Sequence, residues 1–125
     1  MFYYVIYNYM FNHLLIAIIV LLNVINVIVN VRKNISTAII TILLLLIYFK
    51  YYNFSIRNLN PNGALMACLA ISFLGPLMES FIIYVTNGEA WRYGHPYKNM
   101  NVPLWLFPGY GMLALSSLHI YNNYI

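Results

Sequence analysis

Four stretches of this chain are apolar for long enough to cross a lipid bilayer, and this constrains the fold more than anything else in the sequence. A spanning helix needs about 20 mostly apolar residues. Such stretches run from about Phe11 to Val31, Ile35 to Tyr52, Ala64 to Thr86 and Val102 to Tyr121. In hydrocarbon each backbone N–H and C=O must find a partner within the protein, so each stretch is expected to be helical. The predicted fold is all-α, an integral membrane bundle of four transmembrane helices forming one domain over residues 1–125. Composition agrees. Of the residues, 63% are apolar and 6% charged, whereas about a quarter of a typical soluble domain is charged. A soluble globular chain this apolar could not cover itself with polar surface, and a disordered chain needs the opposite balance.

The punctuation between the stretches fits. Arg32-Lys33-Asn34 ends the first, and Ser36 and Thr37 are candidate caps for the second. Asn60-Pro61-Asn62-Gly63 is a turn signal before the third, and Asn87-Gly88 follows it, where a helix end favours Asn or Gly. Asn101 and Pro103 suit the N-cap and first turn of the fourth. The segment Met1–Met10 has neither the basic start nor the small-residue cleavage site of a signal peptide. It is expected to be retained, extending the first helix or lying in the membrane interface.

The net charge is +4, spread over single Lys and Arg residues and one pair. That pattern makes no basic stripe, so no nucleic acid partner is expected. Arg32, Lys33, Arg92 and Lys98 fall on the side opposite the termini, and Lys50 and Arg57 on the terminal side. This distribution favours a cytoplasmic position for the first and third loops. Cys68 is the single cysteine and lies in an apolar run, as an inert core thiol would. No metal or cofactor signature is present, whether HxxH, P-loop, G-x-S-x-G or dinucleotide fingerprint.

The polar residues inside the spans carry most information. Asn23, Asn26 and Asn30 share one face of the first helix, where they serve either as a polar path or as interhelical glue. In the third helix Ser72, Glu79 and Thr86 recur every seventh residue. Glu79 is the one acidic residue within a span, and an intramembrane ionisable group is a candidate functional residue or a hydrogen-bonded structural carboxyl. Gly75-Pro76 lies a turn before it and predicts a kink or a break. Pro108-Gly109-Tyr110-Gly111 interrupts the fourth helix at a similar depth.

The connecting loop, Gly88 to Tyr97, holds Glu89, Trp91, Arg92, Tyr93 and His95. Aromatics at this level form an ordinary interfacial belt, but two acids, an Arg and a His gathered around two helix breaks suggest a site. Glu79 and His95 are the candidate catalytic residues. Arg92, Tyr93, Trp91 and Glu89 are the candidate ligand-binding residues, with Arg92 a possible partner for Glu79 or Glu89. His13 and His119 stand isolated in the sequence and suit structural roles.

The stretch from Gly75 to Ala114 reads GPLMES, GEAWRYGHP and NVPLWLFPGYGMLA. It resembles the carotenoid-biosynthesis membrane protein family, and equally an uncharacterised small polytopic family with the same pattern. The resemblance puts Glu79, Gly88, Tyr93 and Pro103 at the matching positions. This chain has fewer helices than that family and lacks its further acidic positions.

Three functions follow as expectations. One is a small binding or catalytic site for an apolar or lipid-like ligand between the third and fourth helices, reached from the bilayer. A second is a non-catalytic accessory subunit, packed against a membrane-protein partner or a second copy. A third, proton or ion translocation through Glu79, needs several aligned ionisable groups, and Glu79 alone supplies the carboxylate.

Overall fold

The structure, a computed structural model, describes residues 2–52 and 60–124, with side chains described over 10–52 and 60–121. Arg57 and the rest of the second loop, residues 53–59, lie outside the described residues. The helices are α1 (Phe2–Val29), α2 (Asn34–Tyr51), α3 (Pro61–Val85) and α4 (Leu106–Tyr124). Three of them are long and apolar enough to cross a membrane, over Met10–Val29, Asn34–Tyr51 and Pro61–Val85. α4 is not among the three. Its sequence carries Ser116, Ser117, His119, Asn122 and Asn123, and these lower its hydropathy. α1 begins at Phe2, so the N-terminal segment extends the first helix.

Each helix end has a local cause. α2 is entered through Lys33, without a side-chain cap. Ser36 and Thr37 are not caps but lie inside the helix, and Thr37 turns its hydroxyl back to within 2.8 Å of the Lys33 carbonyl. α3 starts three residues earlier than its apolar run. Asn60 caps it by accepting from the Asn62 N–H at 2.9 Å, and Pro61 takes the first position, where no N–H is needed. At its other end Asn87 and Gly88 take φ values of 52° and 75°. Gly88 N–H donates to the Ile83 carbonyl and Asn87 N–H to that of Tyr84, a Schellman closure.

Neither expected helix break is present. α3 runs unbroken through Pro76. α4 starts at Leu106 rather than near Val102, which moves Pro108 into its first turn, where the missing N–H costs no helical hydrogen bond. Asn101 is left-handed at φ 66° and does not cap a helix. Val102 to Trp105 instead form a turn whose Pro103 and Leu104 carbonyls accept from Leu106 and Phe107.

α1 and α2 form a hairpin held by polar groups. Asn26 Nδ2 donates to the Thr37 carbonyl at 3.1 Å and to Thr41 Oγ1 at 3.2 Å, and Asn30 donates to Asn26 Oδ1 at 3.0 Å. The Thr41 hydroxyl lies 2.8 Å from Asn23 Oδ1 and 2.9 Å from the Thr37 carbonyl, one of which takes its single proton. The asparagine face is thus joined to α2. α4 packs on both α2 and α3. Small residues let α3 and α4 approach: a Cβ on Gly111 would lie 2.4 Å from Ser72 Oγ and 2.9 Å from Cys68 Sγ. The main core joins Ile19, Tyr48, Tyr52, Ala64, Cys68, Met112 and Leu115, while Leu43, Leu46, Phe73, Leu77 and Phe81 face outward. An apolar exterior around a core that includes polar groups is what a bundle in lipid requires.

Candidate functional site

Glu79 is half-buried on the inner face of α3, and both its carboxyl oxygens are occupied. Tyr93 Oη donates to Oε1 at 2.7 Å, and Tyr110 Oη donates to Oε2 at 2.5 Å. Accepting at both oxygens is the hydrogen-bonding role of a carboxylate. The three residues come from α3, the α3–α4 loop and the first turns of α4. Glu79 thereby ties the loop and α4 to α3. Burial, and then the Glu79 carboxylate beside it, push the Tyr93 phenol well above the ordinary tyrosine range. Gly75, one turn before Glu79, makes room for the Tyr110 ring.

The loop is fixed at several further points. Ser80 Oγ donates to the Met100 carbonyl at 2.5 Å. Asn34, at the start of α2, accepts from the Leu104 N–H at 3.0 Å and donates to the His95 carbonyl at 3.2 Å. The α1–α2 turn and the α3–α4 loop therefore share one end of the bundle. A smaller cluster of Ile83, Val102 and Leu106 fills the space beneath.

The other sequence-predicted residues do not converge on Glu79. Arg92 is exposed and lies over the end of α3, where Nε donates to the Gly88 carbonyl at 3.3 Å and Nη2 to that of Asn87 at 3.4 Å. It bonds the carbonyls of the turn that closes α3 instead of pairing with Glu79 or Glu89, a position that suits a cation near a helix C-terminus. Glu89, Trp91 and the His95 side chain are exposed. Arg92 and Tyr93 line a cleft of about 330 Å³ with Ile83, Tyr84, Asn87, Gly88, Pro96 and Asn101. Tyr93 is thus both a wall of the cleft and a cap on Glu79.

Sequence reasoning missed Tyr110 as a Glu79 partner, since it stood within an apparent helix break. The histidines are not isolated. His119 Nε2 lies 3.2 Å from His13 Nδ1, and His119 Nδ1 meets the Tyr52 hydroxyl. The residues of that cluster are more than 100 positions apart in the chain at their extremes, and no local spacing signals it. Among the described residues no group of three or more His, Cys, Asp or Glu side chains could hold a metal ion. Comparison with protein-family models, with curated proteins and with solved structures finds no match.

Proposed function

We propose that this chain is a multi-pass integral membrane protein that holds an apolar or lipid-like ligand by its polar head, in the cleft between the end of α3 and the α3–α4 loop. The observation that carries the proposal is the double role of Tyr93, which lines the cleft and is fixed from behind by Glu79. Arg92 puts a positive charge on the cleft and Asn87 and Asn101 add polar groups, Ile83 forms an apolar floor, and Tyr84 continues it onto the outward face of α3. An amphiphile fits that division, with its head at Arg92 and its tail along α3 in the bilayer. In this reading Glu79 is a positioning residue for Tyr93, and His95, Trp91 and Glu89 belong to the interfacial belt.

Native mass spectrometry in mild detergent tests this, with phosphatidylglycerol and phosphatidylcholine as probes. Retained lipid that is lost in Arg92→Ala and in Tyr93→Ala supports the cleft. Equal retention by all three proteins removes it. A chain that instead leaves the membrane in a stable complex with another protein favours the accessory-subunit reading.

A further inference from the structure

A second groove, of about 620 Å³, opens over the first two turns of α2. It shares no lining residue with the loop cleft. Arg32, Lys33 and Ser36 form its polar end, and Ile35, Ile39 and Ile40 its apolar wall, with Tyr97 of the α3–α4 loop beside them. From Lys33 to Ile40 α2 descends about 10 Å, so the cations stand at headgroup level and the isoleucines enter the hydrocarbon. The wall continues down α2 as an outward stripe of Ile35, Ile39, Ile42 and Leu46, which share one helical face.

The groove is built from fixed parts. Asn34 ties α2 to the loop through the Leu104 N–H and the His95 carbonyl. Tyr97 N–H donates to the carbonyl of the fully buried Val102 at 3.0 Å. The charge of the groove is one-sided. The chain has two acids, and neither Glu79 nor Glu89 lines it. Glu79 is already taken by Tyr93 and Tyr110. Lys98 stands at the rim as a third cation, with Nζ 5.0 Å from the Tyr97 ring centroid. An interfacial belt explains exposed cations and tyrosines one at a time. It does not explain a cation pair at the head of an apolar groove that no acid lines. A small anion would leave the isoleucine wall uncovered, and an apolar molecule would leave the cations unmatched. The complementary occupant carries negative charge and hydrocarbon together.

We propose that this groove is a docking site for one anionic phospholipid, separate from the ligand of the loop cleft. The headgroup phosphate pairs with Arg32 and Lys33 and accepts from the Ser36 hydroxyl, as charge-assisted hydrogen bonds favour. One acyl chain follows Ile35, Ile39, Ile42 and Leu46. A zwitterionic phospholipid binds less well, because its own cation meets Arg32, Lys33 and Lys98. The lipid joins the α1–α2 turn to the α3–α4 loop from the bilayer side, as Asn34 does from within. An excess of Lys and Arg marks the cytoplasmic side of a membrane protein, and the cytoplasmic leaflet is the anionic one.

The test is native mass spectrometry of the full-length chain in mild detergent, titrated with phosphatidylglycerol or phosphatidylcholine. The wild type should bind phosphatidylglycerol several-fold more tightly. Arg32→Gln and Lys33→Gln should each weaken that binding about fivefold, the usual effect of one basic residue beside anionic lipid, and leave phosphatidylcholine unchanged. Both side chains are exposed and Lys33 makes no cap bond, so both variants keep the fold. Lys50→Gln should change neither lipid. Lys50 is about 25 Å away along α2, well beyond the screening length of about 8 Å at physiological salt. Equal binding of the two lipids overturns the site. So does a loss in Lys50→Gln as large as in Arg32→Gln, which reports net charge alone. Phosphatidylglycerol lost from Arg92→Ala but not from Arg32→Gln/Lys33→Gln overturns this groove and leaves the loop cleft standing, and the reverse result keeps the groove without the cleft. Thermal unfolding gives a second readout. Phosphatidylglycerol should raise the Tm of the wild type more than that of Arg32→Gln/Lys33→Gln. Inorganic phosphate that raises it equally makes this a simple anion site and overturns lipid docking.

Discussion

The Tyr110 ring lies flat across Gly75, so closely that a Cβ at residue 75 would sit 2.4 Å from Tyr110 Cδ1. Glycine at this position gives α4 its approach to α3 and places the Tyr110 hydroxyl on Glu79. Gly75→Ala is expected to push the ring aside at a cost of about 1–3 kcal/mol, the usual range for overpacking a filled interior. Thermal unfolding in detergent measures it. Most of the cost should vanish in a Tyr110→Ala background, because the clash has one partner.

Tyr93→Phe and Tyr110→Phe each leave one Glu79 oxygen without its phenol. Each should destabilise the protein by about 1–3 kcal/mol, the cost of a half-buried acceptor losing its donor. In a Glu79→Ala background the same substitutions should cost much less. Chemical unfolding of the four proteins in each cycle measures the coupling. Full additivity would mean that neither phenol depends on the carboxyl.

Much of this fold was legible because the bilayer demands long apolar runs, and Asn60-Pro61 and Asn87-Gly88 mark helix ends whose chemistry is local. α4 was less legible. Pro108-Gly109 reads as a break only if the helix begins near Val102, and the turn that delays its start is closed by long-range contacts, such as Leu104 N–H to Asn34. Glu79 and Tyr93 stood out by type and position. Their actual geometry did not, because Tyr110 reaches Glu79 across two helices and Arg92 is drawn to the carbonyls at the end of its own neighbouring helix. The His13–His119–Tyr52 contacts join three distant segments, and neither helical period nor motif spacing carries that information.

Asn34 holds the α3–α4 loop from outside, with its side chain bonded to Leu104 N–H and the His95 carbonyl. Asn34→Ala removes both bonds. The Leu104 amide should then exchange its hydrogen about fivefold faster, as expected for about 1 kcal/mol lost from a partly exposed bond. Amides in the middle of α3 should be unaffected. Hydrogen-exchange mass spectrometry separates the two, and equal acceleration in both would mean that Asn34 supports the bundle as a whole.

The Tyr93 phenol gives the loop a predictable response to alkali. Burial first, and then Glu79, hold its folded-state pKa above the ordinary value, which is about 10. The folded state therefore favours the protonated phenol, and this contribution to stability is complete below about pH 10. It is lost as pH rises from there towards the higher folded value, because the unfolded chain releases the Tyr93 proton first. Tyrosinate absorbance of the wild type and of Tyr93→Phe should thus be the same through the range where exposed tyrosines ionise. The two should diverge only at higher pH, together with loosening of the α3–α4 loop. If Tyr93 ionises with the exposed tyrosines, its phenol is not bound to the Glu79 carboxylate.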